Sequence, residues 1–173
     1  EAAYVGENLD IGGGRVVLEA RTLAKLLDAL DIQPDELALD LGSGLGYSAA
    51  VIARLAGTVV GVEEDESLAA EAGRLLSEEG VDNAIVLTEA LTAGAAKHAP
   101  YDVIIVEGGV EILPDAIMQS LRDGGRIGAI FMEGAVGTAK IGTKRQGKIS
   151  WRSAFNATAP VLNGFRKVEG FRL

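Results

Sequence analysis

The sequence of 173 residues contains no cysteine and only one histidine, His98. Without cysteine the chain has no disulfide, no thiolate metal ligand and no cysteine nucleophile. A single histidine also makes a multi-histidine metal centre or a Ser-His-Asp triad hard to build. We therefore predict no metal site, and we name no residue as a catalytic acid, base or nucleophile.

Long apolar runs are also missing, and proline occurs only four times. No stretch approaches 18 apolar residues and no charged-then-apolar leader is present, so we expect no membrane association and a cytoplasmic location. Because the sequence opens on Glu1 and not on methionine, we expect that residues precede it in the natural protein. The hydrophobic content of 48% fits one packed domain, which we assign to residues 1–173.

Positive charge is scarce in the first three-quarters of the chain. Residues 1–137 contain eight basic and 24 acidic side chains, whereas residues 138–173 contain eight basic and one acidic side chain. The acidic part makes nucleic acid an improbable partner, because phosphate contacts need clustered lysine and arginine. Two interpretations of the basic C-terminal part stay open: it attracts an acidic substrate, or its lysines protect a sheet edge. The basic side chains concerned are Lys140, Lys144, Arg145, Lys148 and Arg152.

Apolar strands alternate with amphipathic helices along most of the chain, which predicts an α/β fold. We expect a Rossmann-like, doubly wound, mostly parallel sheet with a C-terminal antiparallel hairpin at its edge. Residues 1–18 are expected to be irregular, with Gly12, Gly13 and Gly14 packing closely against a cofactor or a neighbouring helix. The predicted helices are 20–30, 47–55, 67–77, 91–98 and 113–121. The predicted strands are 37–41, 58–62, 84–87, 101–106, 126–132, 139–144 and 149–155.

A glycine-rich turn, Gly42-Ser43-Gly44-Leu45-Gly46, joins the first of these sheet strands to the next helix. Such a turn lets the backbone approach a ligand closely and points N–H groups at it. The dinucleotide pattern Gly-x-Gly-x-x-Gly is not met, because Tyr47 stands at its third glycine. Asp40, just before the turn, would repel a pyrophosphate but suits a cationic amino-acid group such as that of S-adenosylmethionine.

Acidic residues also follow the later parallel strands, where ligands of open α/β sheets bind. Glu63 is our choice for a carboxylate that accepts the hydroxyls of a ribose, with Glu64 beside it. Glu89, or the backbone at Ala90, is placed to contact an adenine edge, and Glu107 lies where the transferable group would meet an acceptor. The alternative is that Asp40 and Glu63 only cap loops and helices, and that Glu107 is an N-cap acid of the following helix.

With these motifs the chain resembles class I S-adenosylmethionine-dependent methyltransferases, and specifically the protein-L-isoaspartate O-methyltransferase family. The resemblance runs from Ile11 to about Phe165. It rests on Asp-Leu-Gly-Ser-Gly-Leu-Gly-Tyr-Ser-Ala-Ala from Asp40, Val-Val-Gly-Val-Glu ending at Glu63, Tyr-Asp-Val-Ile-Ile-Val from Tyr101, and Leu-Arg-Asp-Gly-Gly-Arg from Leu121. The cofactor implied is S-adenosylmethionine, with S-adenosylhomocysteine as product. The implied cofactor residues are Asp40, Gly42, Ser43, Gly44, Gly46, Tyr47, Glu63, Glu64, Glu89, Ala90 and Glu107.

One segment departs from the family pattern. Where the family is expected to carry Gln-Thr-Ile-Ser beside the substrate carboxylate, this chain has Arg15-Val16-Val17-Leu18. We assign Val16, Val17 and Leu18 to the substrate wall, and we expect isoaspartyl peptides to be poor acceptors because two hydroxyls are lost. The acceptor is then a protein, a peptide or a small molecule. Two other hypotheses stay open: a protein that binds the cofactor without transferring a methyl group, and a dinucleotide oxidoreductase.

Overall fold

The computed structural model describes residues 6–170, which form a seven-stranded sheet and a separate two-stranded hairpin. The hairpin consists of β1 and β2, and the sheet runs in the order β5-β4-β3-β6-β7-β8-β9. The strands are β1 Leu9–Gly12, β2 Arg15–Val17, β3 Leu37–Leu41, β4 Thr58–Glu63, β5 Ala84–Thr88, β6 Tyr101–Val110, β7 Leu121–Glu133, β8 Val136–Arg145 and β9 Lys148–Asn156. The helices are α1 Ala20–Leu30, α2 Tyr47–Ala53, α3 Glu66–Glu78 and α4 Asp115–Ser120.

The first five strands of the sheet, β3 to β7, pair in parallel, and β8 and β9 add an antiparallel edge. The predicted fold class is therefore confirmed. The order of the strands reverses between β3 and β6, so the loop after β3 and the end of β6 flank the point where open α/β sheets bind ligands. Within residues 6–170, no helix is long and apolar enough to cross a membrane.

Two hydrophobic clusters, one on each face of the sheet, hold the layers together. The first packs α1, α2 and the end of α3 on one face through residues such as Leu26, Ile52 and Leu76. The second packs α4 and the 91–98 segment on the other face through Ile117 and Leu91. Strands β3 and β6 are almost wholly buried, which explains their nearly continuous apolar sequences.

The predicted helix over residues 91–98 is wrong. The structure has two short 3-10 segments instead, Leu91–Ala93 and Ala96–His98. Gly94 and Ala95, with φ angles of 71° and 44°, interrupt the helical path between them. The Tyr101 hydroxyl holds this break by donating to the Ala95 carbonyl oxygen at 2.7 Å.

The strand predicted over 101–106 continues to Val110, so Glu107 lies within β6 and not in a loop after it. The continuation depends on the C-terminal segment, which pairs with the end of β6. The Gly109 N–H donates to the Pro160 carbonyl at 2.8 Å. A Cβ at Gly109 would lie 2.5 Å from the Ala159 carbonyl oxygen, so glycine is required there for close approach.

The sequence led us to expect that residues 1–18 are irregular. Instead, residues 9–17 form the β1–β2 hairpin. Gly12, Gly13 and Gly14 have φ angles of 88°, 63° and 72° and make its turn. Among the residues that the structure describes, no heavy atom lies within 4 Å of a Cβ built on any of these three glycines. Close packing of the glycines against a neighbouring helix is therefore wrong, while their approach to a cofactor stays a prediction.

Candidate functional site

The glycine turn after β3 lies beside the β1–β2 hairpin. Gly42 and Gly44 have φ angles of 86° and 54°, which favour glycine. A Cβ at Gly42 would lie 2.9 Å from the Arg15 Nη2 atom, and one at Gly44 would lie 3.1 Å from the Ile11 Cδ1 atom. The turn therefore lacks side chains at the places where the hairpin covers it.

Gly46 has a different neighbour from the other two glycines of the turn. With a φ angle of 91° it precedes α2, and a Cβ there would lie 3.0 Å from the Cα atom of Ala72 in α3. Its lack of a side chain lets α3 pack close to the turn. A role of Gly46 in holding a cofactor stays a prediction.

Two cavities adjoin the turn and the hairpin. The larger, of about 610 Å³, is lined by Gly42, Ser43, Gly44, Tyr47 and Glu107 together with Val16, Val17 and Leu18. The structure thus brings the predicted substrate wall and much of the predicted cofactor set to one cavity. The smaller, of about 390 Å³, is lined by Ile11, Gly12, Gly13, Arg15, Glu64, Asp65 and Leu68.

The carboxylate of Glu63, the predicted ribose acceptor, is fully buried and paired with Arg15. Arg15 Nη1 and Nη2 donate to Glu63 Oε1 and Oε2 at 2.8 and 2.9 Å. The Gly44 N–H donates to Oε2 at 2.8 Å and the Asp65 N–H to Oε1 at 3.2 Å. Both oxygens therefore have a guanidinium donor and a backbone donor.

Asp40 and Glu107 form a second buried group, at the two strands that flank the reversal of strand order. The Ser48 hydroxyl donates to Asp40 Oδ2 at 2.6 Å. The two carboxyls face each other closely enough that a proton on one of them can be donated to the other. Burial raises the pKa of both carboxyls, and that of Glu107 is raised well above its ordinary value because the Asp40 charge adds to the effect of burial. We place the shared proton on Glu107.

The alternative, in which Asp40, Glu63 and Glu107 only cap loops and helices, agrees with the structure in part. Glu107 is not an N-cap acid, because it lies inside β6 and the N-cap position of α4 is Pro114. Asp40 does accept a hydrogen bond from the first turn of α2, through Ser48, and Glu63 accepts one from the glycine turn. Both acids therefore also order the loop that they adjoin.

Four buried polar side-chain atoms have no hydrogen-bond partner in another residue among residues 6–170. They are Arg15 Nε, Asp40 Oδ1, Ser43 Oγ and Glu107 Oε1. All four belong to the turn, to the strand ends beside it or to the hairpin that covers it. Because buried polar atoms are rarely left without a partner, their clustering at one place indicates a ligand with polar groups. Carboxyl oxygens beside an apolar cavity fit the amino-acid end of S-adenosylmethionine.

Glu89 and Ala90, the predicted adenine contacts, line neither of the two cavities. The Glu89 N–H donates to the Glu63 carbonyl at 3.2 Å, so the segment does lie beside the end of β4. Its contact with an adenine stays a prediction.

Two residues of the site had no assigned role in the sequence interpretation. Arg15 was noted only as part of the departing segment, and Ser48 only as part of the glycine motif. The signal for Arg15 was available: it is a cation in a part of the chain where acids outnumber bases by three to one. The partner of Arg15 was not predictable from spacing, because Glu63 is 48 positions away.

The basic C-terminal side chains make local contacts near the antiparallel edge. The Lys144 ammonium donates to the Met118 and Leu121 carbonyls at 2.9 and 2.8 Å. The Lys140 ammonium lies 5.1 Å from the centre of the Phe131 ring. These contacts hold Lys140 and Lys144 in β8, beside the edge strand β9, and both interpretations of the basic residues stay predictions.

Comparison with known proteins gives a family for this arrangement. The family model described as Protein-L-isoaspartate(D-aspartate) O-methyltransferase (PCMT) matches residues 1–155. Protein-L-isoaspartate O-methyltransferase 2 of Pelobacter propionicus is 35% identical over 155 residues, which are 88% of this chain and 68% of the relative. The Polaromonas sp. protein of the same name is 32% identical over 168 residues, or 95% of this chain and 79% of the relative.

Solved structures show the same fold. A protein-L-isoaspartate O-methyltransferase aligns with a TM-score of 0.81 at 22% identity, covering 91% of this chain and 52% of that one. A Plasmodium falciparum protein described as a protein-L-isoaspartate O-methyltransferase was solved with S-adenosyl-L-homocysteine. It aligns with a TM-score of 0.76 at 19% identity, covering 92% of this chain and 81% of that one. At these identities the likeness establishes the fold alone.

Proposed function

Because the chain belongs to the protein-L-isoaspartate(D-aspartate) O-methyltransferase family, whose members are S-adenosylmethionine-dependent transferases, we propose that it methylates a carboxylate of a protein or peptide. The family match over residues 1–155 carries this proposal. The site supports it, since the glycine turn, the buried Glu107 and the predicted substrate wall meet at one cavity.

The residues that would hold the cofactor follow from their positions. Asp40 Oδ1 and Glu107 Oε1 accept no hydrogen bond from an N–H or hydroxyl group among residues 6–170, and a carboxylate oxygen of this kind suits an ammonium group. The turn at Gly42 and Gly44 has no side chains, so its backbone N–H groups can be approached closely, and Glu63 remains the candidate for the ribose. When bound, S-adenosylmethionine supplies an electrophilic methyl group on a sulfonium sulfur.

The protein has little proton chemistry to perform in this reaction. The pKa of a free carboxyl is about 4, so an acceptor carboxylate is already ionised near neutral pH and needs no general base. What the chain contributes is position and exclusion of water. Val16, Val17 and Leu18 form an apolar wall of the larger cavity, against which the two reacting groups would be held in line.

Ligand binding separates this proposal from the oxidoreductase hypothesis. We expect calorimetry to show binding of S-adenosylmethionine or S-adenosylhomocysteine with a dissociation constant in roughly the micromolar range, and no binding of NAD at the same concentrations. The physical reason is the negative charge of Asp40 beside the turn, which repels a pyrophosphate. Binding of NAD without a response to either adenosyl ligand would contradict the proposal. Binding of the adenosyl ligands without methyl transfer to any acceptor would favour the non-transferring protein.

The acceptor is expected to differ from an isoaspartyl peptide. Each lost hydrogen bond to a charged group removes about 1.5–3 kcal/mol, so the missing hydroxyls at Val16 and Leu18 are expected to lower methyl transfer to isoaspartyl peptides by about a hundredfold or more. A Val16→Thr, Leu18→Ser double variant should recover part of this rate in a steady-state assay with an isoaspartyl peptide.

The design needs two controls. Val17→Thr adds a hydroxyl to the same wall at the position where the family pattern is apolar, and it should not raise the rate. Leu18 is only 4% exposed and packs in a hydrophobic cluster, so thermal unfolding of the double variant must show that it is folded. Ordinary enzymatic turnover of isoaspartyl peptides by the unchanged protein would refute this expectation about the acceptor.

A further inference from the structure

Arg15 is paired with Glu63, the carboxylate that is our candidate for the cofactor ribose. Its guanidinium is bound to both oxygens of Glu63, and its Nη2 atom lies where a Cβ of Gly42 would be 2.9 Å away. The Arg15 side chain is 7% exposed and that of Glu63 is fully buried. Arg15 is thus packed between the glycine turn and the acid at the end of β4.

We propose that Arg15 is an internal competitor of the cofactor: it holds Glu63 while the site is free and must leave Glu63 before an adenosyl ligand can bind there. This inference rests on the proposed function. Glu63 already accepts two guanidinium and two backbone hydrogen bonds. A ribose that uses this carboxylate therefore has to replace the guanidinium donors, because the backbone donors belong to the fold.

The structure offers Arg15 another place. The smaller cavity is lined by Arg15 itself and by Glu64 and Asp65, and it opens beside the β1–β2 turn. Asp65 is engaged as the N-cap of α3, where its Oδ1 accepts from the Leu68 N–H at 3.0 Å. Glu64 is therefore the acid to which the released guanidinium can move. The Arg15 Nε atom has no acceptor among the described residues, and the Glu64 carboxylate of that cavity can supply one.

Charge in the site points the same way. Among residues 6–170, the buried charged side chains are the carboxyls of Asp40, Glu63 and Glu107 and the guanidinium of Arg15. When Arg15 leaves, its charge is missing from a buried acidic site, and a ligand with its own positive charge restores the balance. S-adenosylmethionine carries one more positive charge than S-adenosylhomocysteine. Arg15 therefore favours discrimination between cofactor and product, because only the cofactor fully replaces the charge that it displaces.

The test compares two arginine variants by calorimetry with S-adenosylhomocysteine. In Arg15→Gln the competitor is weakened, and we expect the dissociation constant to fall by at least about tenfold relative to the unchanged protein. The matched control is Arg126→Gln. Arg126 also pairs with a glutamate, Glu36, at 2.7 Å, but it lies outside both cavities, so its substitution should leave the dissociation constant unchanged. Thermal unfolding without ligand shows that each variant is folded.

A second readout follows the guanidinium directly. Nitrogen resonances of Arg15, assigned by their loss in Arg15→Gln, should show slow rotation of a locked guanidinium in the free protein. Saturation with S-adenosylhomocysteine should shift them to those of a different environment. Because this signal does not depend on methyl transfer, it measures the displacement itself.

The outcomes are distinct. Tighter binding by Arg15→Gln, or binding by that variant alone, supports the competitor role. Equal affinity of the unchanged protein and Arg15→Gln, with unshifted Arg15 resonances in the complex, overturns that role and leaves the proposed function intact. Failure of both proteins to bind either adenosyl ligand overturns the proposed function, and the inference with it.

Discussion

Replacing Glu63 by alanine is expected to lower the free energy of unfolding by about 3–5 kcal/mol, the usual cost of removing one partner from a buried ion pair. Two N–H groups of the Arg15 guanidinium would lose their acceptors, which now lie at 2.8 and 2.9 Å. The Gly44 N–H, which donates to the same carboxylate at 2.8 Å, would also lose its acceptor. Urea unfolding of the ligand-free protein measures the loss.

The control for this prediction is the neighbouring acid. Glu64 stands next in sequence but is partly exposed, and Glu64→Ala should change the free energy of unfolding by no more than about 0.5 kcal/mol. In a double-mutant cycle, Arg15→Met with Glu63→Ala should cost less than the two single changes added together, because neither charge is then left alone. A loss below about 1 kcal/mol for Glu63→Ala would show that Arg15 finds another partner without cost.

Much of the fold could be predicted because its signals are local. The leucine stripe of α1 and the apolar run of β3 gave these two elements the boundaries that the structure has, 20–30 and 37–41. The continuation of β6 to Val110 could not be predicted this way. Two consecutive glycines such as Gly108 and Gly109 normally mark the end of a strand. Here they allow close contact with the C-terminal segment, which follows about 50 residues later in the chain.

The site shows the same division between local and distant information. The glycine turn and the acids at the strand ends were predictable, because parallel strands bring their carboxyl ends to one edge of the sheet. The pairing of these acids with other side chains could not be predicted. Whether Glu63 is free or paired depends on where the β1–β2 hairpin places Arg15. The hairpin itself was missed because three consecutive glycines resemble a loop.

The stability of the protein is expected to depend on pH through the Asp40–Glu107 pair. Burial and the Asp40 charge raise the pKa of Glu107 well above its ordinary value of 4.5. Burial also raises the pKa of Asp40, although Glu107 and Ser48 act to lower it. Above pH 4.5 the unfolded chain has released the Glu107 proton but the folded protein still holds it. Folding then takes up a proton, so the free energy of unfolding falls as pH rises, by up to about 1.4 kcal/mol per pH unit, until the folded protein releases its proton too.

Glu107→Gln should remove this slope. The glutamine amide can donate to Asp40 in place of the shared proton at every pH, so the variant is expected to be more stable than the unchanged protein at neutral and alkaline pH, with the advantage disappearing below about pH 4. Urea unfolding at intervals from pH 4 to 9 measures both slopes. Glu111→Gln, which removes a more exposed carboxylate just beyond the same strand, is the matched control and should leave the slope as it is. Parallel stability curves for the unchanged protein and Glu107→Gln would show that the buried pair holds no proton that the unfolded chain has lost.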